Sequence, residues 1–148
     1  MILRRTDNLD KDFITLTTAL DAHFNVLYGA LQKQYSPHNI MSSLKTVLVG
    51  YEDKEPIACG CFRVFEQECV EIKRMYVSPK YRQKGYASML LYELENWAKE
   101  LGYKRALLEL GNKQPQTLKL YESSGYLIRE NYGVYKEIET SICMEKML

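Results

Sequence analysis

Met75-Tyr76-Val77-Ser78-Pro79-Lys80-Tyr81-Arg82-Gln83-Lys84-Gly85-Tyr86-Ala87 is the stretch whose reading decides the fold. It opens as the end of a β-rich run from Cys69. Past a proline-started basic loop it enters an apolar stripe at helical spacing: Ala87, Leu90, Leu91, Leu94, Trp97, Ala98 and Leu101. A loop between a strand and a helix presents unpaired backbone N–H groups and the positive end of the helix dipole, a setting that favours an anion. Gly85 lets the backbone come close to a ligand, and Ala87 keeps the first helical turn narrow. Between residues 72 and 92 the charged residues are Lys73, Arg74, Lys80, Arg82 and Lys84, five positive and none negative. The expectation is a phosphate cradle with uncompensated positive charge around it. Neither a P-loop nor a dinucleotide fingerprint has the right glycine spacing here.

Downstream, Glu95 and Lys99 are expected on the polar side of the helix, and Gly102 is a natural stop. Arg105 to Leu110 reads as a strand. A long helix joins it to the strand ending at Val77, so the two are predicted to be parallel with a right-handed crossover. Pro115 suits the first turn of a helix that reaches about Ser124, and two strands near 126–130 and 141–146 close the chain. Upstream, Ile2 to Arg5 reads as a strand. Phe13, Leu16, Leu20, Phe24, Leu27, Tyr28 and Leu31 then form a helical stripe from about Asp10, stopped by Pro37. That stretch is long for one helix, which predicts two helices or a broken one. Lys45–Tyr51, Ile57–Phe65 and Cys69–Val77, joined by polar turns, predict an antiparallel meander. The fold class is a mixed α/β sheet, mostly antiparallel.

Composition bounds what such a fold can do. A chain of 148 residues suits one domain spanning 1–148. Twenty basic against 19 acidic residues argue against a nucleic-acid or acidic-lipid partner, which usually needs a net basic domain. No apolar run is long enough to span a membrane, and the charged N-terminus is unlike a signal peptide. A cytoplasmic location with Cys59, Cys61, Cys69 and Cys143 as buried thiols is therefore expected. His23, His38 and the cysteines lack zinc spacing, so no metal is expected.

Arg82-x-x-Gly85-x-Ala87 after a strand ending in Met75-Tyr76-Val77 resembles the acetyl-coenzyme A motif of the GNAT N-acetyltransferases. Leu120-Tyr121-Glu122-Ser123-Ser124-Gly125-Tyr126 is similar to a second motif of that family, and the element order fits over essentially the whole chain. The resemblance implies a central parallel strand pair that splays, with the pantetheine arm of acetyl-CoA between the strands. Backbone groups at Met75 and Val77 would pair with the arm, and an N–H near Val77 would polarise the thioester carbonyl. Gln83, Lys84, Gly85, Tyr86 and Ala87, with Arg82, would hold the pyrophosphate. Gln114 stands where many relatives have Asn, and its amide offers the same donor and acceptor from a longer arm.

The implied reaction is acetyl transfer to a primary amine of a small molecule or peptide by direct attack in a ternary complex. A protonated amine must lose a proton first. Glu71, eleven residues before Arg82, lies where histone-acetylating relatives carry their base. Tyr121 matches the tyrosine that protonates the departing thiolate in many relatives. Tyr35, His38 and Asn39, with Tyr132 to Tyr135, are expected around the acceptor, and His38 is an alternative base. A covalent route through Cys143 is a minor option without a neighbouring His in sequence. Family members are often dimers, so a homodimer is among the implied assemblies. The competing function class is a non-catalytic CoA or acyl-CoA binding or sensing module.

Overall fold

The computed structural model describes residues 1–29 and 43–148. Strand β1 (Ile2–Thr6) leads into helix α1 (Lys11–Tyr28). Asp10 starts that helix because its side chain accepts from the backbone N–H groups of Asp12 and Phe13, two donors with no partner inside the helix. The helix ends at Gly29, whose φ of 54° turns the chain out of the helical path. Phe13, Leu16, Leu20 and Tyr28 are its buried stripe, as the periodicity predicts. The expected second or broken helix, together with Leu31, Tyr35, Pro37, His38 and Asn39, lies outside the described residues.

Strands β2 (Val47–Glu52), β3 (Glu55–Glu66) and β4 (Cys69–Val77) form the predicted meander. Positive φ at both Asp53 and Lys54 gives the β2–β3 turn the backbone twist that a tight hairpin needs. Helix α2 (Tyr86–Glu100), β5 (Arg105–Gly111), helix α3 (Pro115–Ser123), β6 (Leu127–Arg129) and β7 (Ser141–Met147) complete the order. The seven strands run β1-β2-β3-β4-β5-β7-β6, with β4–β5 parallel and every other pair antiparallel.

Two local features shape the centre of this sheet. Cys59 pairs with Tyr76 and Cys61 with Lys73, so Arg74 and Met75 on β4 oppose Gly60 alone. This is a β-bulge, and Arg74 takes a φ of 59° within it. Gly60 suits that close approach, because a Cβ would sit 2.8 Å from Met75 Sδ and 3.0 Å from Leu94 Cδ1 and those side chains would have to shift. The second feature is the parallel ladder, which extends only from Cys69↔Arg105 to Glu71↔Leu107. Beyond Glu71 the strands part, and β4 bends away through its bulge.

One sheet face packs on α2 and α3 through Leu90, Leu91, Leu94, Leu108, Leu110 and Tyr121. The opposite face carries Leu107 and Cys143 against Tyr28 of α1 and against Tyr132 and Tyr135 at the 3-10 turn Gly133–Tyr135. The helix expected to expose Glu95 does not. Glu95 is 5% exposed, accepting from Tyr126 Oη at 2.9 Å and from Lys146 Nζ at 2.8 Å, so a carboxylate is buried with two donors. Leu101, placed by periodicity in the stripe, is instead 55% exposed, because α2 ends one residue earlier.

Candidate active site

The parting of β4 from β5 opens a cavity of about 400 Å³. Its walls include Met75 and Val77 of β4, Arg82, Gln83, Gly85, Tyr86 and Ala87 of the loop and α2, Glu109 and Gly111 of β5, and Gln114 and Tyr121 at α3. The two sequence motifs, separated by some thirty residues of chain, thus meet around one space. They do so because β5 lies beside β4, while α2 and α3 start from the same end of that strand pair.

The loop has the geometry of an anion cradle. Gln83 and Gly85 both take positive φ, 64° and 79°, which turns the backbone into a concave shape. A Cβ on Gly85 would meet nothing within 4 Å, so the space in front of it is open. Arg82 is oriented by donating Nε to the Val77 carbonyl at 2.8 Å, which engages one of the backbone groups expected to face a pantetheine arm.

The expected block of uncompensated charge is smaller than the sequence implies. Lys73 lies 3.8 Å from Glu71, Arg74 2.9 Å from Asp21, and Lys80 3.4 Å from Glu55. The compensating carboxylates come from outside the 72–92 window, which counting along the chain does not see. Among the described residues only Arg82 and Lys84 of the five have no carboxylate within ion-pairing distance. Both flank Gln83, so the unneutralised charge is focused on the cradle itself.

Glu71 is 1% exposed and fully engaged. Its Oε1 accepts from Arg63 Nε and its Oε2 from Tyr132 Oη, each at 2.7 Å. Tyr132 is therefore placed behind Glu71, and it does not line the cavity; Tyr135 from the same turn does. Lys73 donates to Tyr135 Oη at 3.0 Å, and burial pulls the Lys73 ammonium down against the opposing pull of Glu71. Tyr121 lines the cavity at 5% exposure, and burial, with Glu109 nearby, pushes its phenol well above the ordinary value. It therefore stays protonated at neutral pH. Gln114 lines the same space and donates Nε2 to Tyr28 Oη at 3.0 Å. Cys143 is wholly buried, and burial pushes its thiol up to about 11, so the nucleophilic thiolate is scarce.

Sequence reasoning missed Glu109. It is a cavity-lining carboxylate that accepts from Ser141 Oγ at 2.7 Å, and burial, opposed by that hydrogen bond, pushes it up to about 7. A lone acidic residue inside the apolar run Ala106-Leu107-Leu108-Glu109-Leu110 was the available signal.

The fold built around this splayed pair is a known one. A candidate acyl-CoA N-acyltransferase from Klebsiella pneumoniae subsp. pneumoniae MGH 78578 superposes with a TM-score of 0.82 at 28% identity, over 99% of this chain and 97% of that one. The PaiA N-acetyltransferase of Thermoplasma acidophilum, solved in complex with coenzyme A, has the same fold (TM-score 0.72, 18% identity, 99% and 98% covered). In sequence, the IAA acetyltransferase of Azospirillum brasilense is 29% identical over 154 residues, 99% of this chain and 97% of that protein. The profile of the acetyltransferase (GNAT) family matches residues 15–126, and the chain belongs to that family.

Proposed function

We propose that the chain works as one domain over residues 1–148 and transfers the acetyl group of acetyl-CoA to a primary amine of a small molecule or peptide, by direct attack in a ternary complex. The observation that carries this reading is the convergence on one cavity of an anion cradle, an open strand gap and a protonated tyrosine. The residues present fit the coenzyme. Gly85 leaves open space, Arg82 and Lys84 have no carboxylate partner among the described residues, and β4 is unpaired on its β5 side past Glu71.

Arg82, Gln83, Lys84, Gly85, Tyr86 and Ala87 would hold the phosphates, and Met75 and Val77 the extended arm. Gln114, tied to Tyr28, would close the side of the gap. When bound, the coenzyme supplies an acyl group activated as a thioester. Tyr121 holds a proton beside the gap and is placed to give it to a departing sulfur. Glu71, clamped by Arg63 and Tyr132, fixes negative charge at the end of the β4–β5 ladder. His23, Phe24, Tyr28 and Tyr135 would bracket the amine on the α1 side. A cytoplasmic setting suits four cysteines that are all free thiols.

The test is thiol release from acetyl-CoA by the purified chain with a panel of amines, aminoglycoside-type antibiotics and peptides. Amine-dependent release with at least one member is expected. Saturable binding of acetyl-CoA without amine-dependent release across the panel would replace this reading with the sensing module.

A further inference from the structure

Consecutive residues of a regular strand face opposite sides of a sheet, yet Lys73 and Arg74 both reach the side covered by α1. Lys73 donates to Tyr135 Oη at 3.0 Å. Arg74 Nη2 donates to the Thr17 carbonyl of α1 at 3.0 Å and to Asp21 Oδ1 at 2.9 Å. The bulge opposite Gly60 makes this possible, because Arg74 takes a φ of 59° within it and departs from the strand's alternation. The two side chains are only 5% and 4% exposed, and both residues line the cavity.

The two cations differ in how they are bonded. Lys73 has Glu71 at 3.8 Å in addition to Tyr135. The Arg74 guanidinium is held to α1 through Nη2, while its Nη1 is buried and has no hydrogen-bond partner among the described residues. Among those residues no other buried side-chain nitrogen or oxygen lacks a partner. A buried donor on a cation is unfavourable without an acceptor, and the left-handed φ adds strain at the same residue. Both features sit in the wall of the cavity where the acceptor is expected, and both are accounted for by a ligand that supplies the missing acceptor atom. We propose that Arg74 Nη1 receives the carboxylate of the acceptor, which is therefore a free amino acid, carrying its amine and its carboxylate in one small molecule. The proposal rests on the transferase reading above and names the substrate class of that site.

The surrounding charge supports this assignment. Glu71 does not oppose an incoming carboxylate strongly, because Arg63 and Tyr132 engage its two oxygens. Asp21 is 51% exposed, so solvent screens much of its repulsion of a second anion at Arg74. Across the gap the cavity is lined by Glu109 of β5. A zwitterion thus meets positive charge on β4 and negative charge on β5. A polyamine or an aminoglycoside would instead bring further cations to Lys73 and Arg74, where like charges repel. A carboxylate also suits a guanidinium better than water does, because the bond is charged on both sides. Leu20, Phe24 and Tyr28 give an apolar wall for an amino-acid side chain. The cavity of about 400 Å³ has to take the coenzyme arm as well, so the acceptor's share is that of a small molecule.

The experiment is thiol release from acetyl-CoA with the standard L-amino acids, each compared with its α-carboxamide, and with phenylalanine also compared with phenethylamine. Dipeptides, spermidine and an aminoglycoside complete the set, and wild type, Arg74→Gln and Arg74→Lys are measured in parallel. At least one free amino acid should exceed its carboxamide in kcat/KM by ~10-fold or more, the scale of one hydrogen bond between charged groups. Arg74→Gln should raise KM for that amino acid at least ~10-fold, with a smaller change in kcat, and bring its kcat/KM close to that of the carboxamide. Arg74→Lys keeps the charge but has no second nitrogen to spare from α1, so it should lose the preference too.

A wild type inactive with every acceptor sinks the transferase reading and this proposal with it. A wild type that uses carboxamides, spermidine or the aminoglycoside as readily as free amino acids overturns the proposal alone. So does a dipeptide preferred over its constituent amino acids, or a preference for free amino acids that both Arg74 variants retain. If neither variant folds, the wild-type ratio of free acid to carboxamide decides.

Discussion

Replacing Gly85 by alanine separates backbone strain from ligand contact. Gly85 has a φ of 79°, where an L side chain costs about 1–2 kcal/mol, partly offset by the lower entropy of the unfolded chain. Nothing lies within 4 Å of the Cβ position, so no steric term from the protein is added. A net loss of about 1 kcal/mol is expected, or roughly 2–4 °C in melting temperature for a chain of this size. Gly102 is a matched control, with a φ of 93° and an equally open Cβ position, at the far end of the same helix. Gly102→Ala should cost the same stability. The two differ in what the methyl group faces, open solvent for Gly102 and the cradle for Gly85. Calorimetric titration with coenzyme A should show Gly85→Ala binding at least ~10-fold more weakly, equivalent to about 1.4 kcal/mol, and Gly102→Ala binding like the parent. Equal affinities in the two variants would refute the assignment of the 82–87 loop as the phosphate site.

Other perturbations follow from single contacts. Tyr121→Phe should slow acetyl transfer by roughly 10²–10⁴-fold with coenzyme affinity retained, read by comparing single-turnover rates with titration. Glu95→Ala removes the partner of Tyr126 and Lys146; breaking a buried pair costs about 3–5 kcal/mol, and the low end is expected because Lys146 is 27% exposed. Urea unfolding measures that loss. Asp10→Asn should be pH-selective. Burial works to raise the Asp10 carboxyl, but hydrogen bonds from Thr6, the Asp12 and Phe13 N–H groups and Arg4 outweigh it and hold the group below its ordinary value. Its contribution is therefore present above the unfolded value of about 3.9 and lost as pH falls through the folded one, so the stability gap between wild type and Asp10→Asn should close in acid.

The strand β4 was legible to the residue, because polar turns bound it on one side and Pro79 follows on the other. The cradle was legible because glycine, alanine and the basic side chains sit within six residues. What the chain order hides is the company that residues keep across the fold. Glu95 reads as polar surface until Tyr126, just before β6, and Lys146 of β7 reach it. Three of five positive charges read as unpaired until Glu55, Glu71 and Asp21 are brought to them. Glu71 reads as a free carboxylate, since nothing in its own strand announces Arg63 on β3 or Tyr132 from the last loop. Glu109 carried a signal, a single carboxylate in an apolar strand, but its access to the cavity depends on where the β4–β5 ladder stops. The ladder stops at Glu71, just before the bulge opposite Gly60, and local periodicity encodes neither.

The account turns on acetyl-CoA lying in the gap between β4 and β5. Backbone amide NMR of the isotope-labelled chain during titration with acetyl-CoA measures this directly. Saturable shifts should concentrate at Met75 to Val77 and Gln83 to Ala87, with the amides of β1 and β6 unmoved. Saturable binding that leaves those two segments unshifted, with its shifts elsewhere on the sheet, would contradict it.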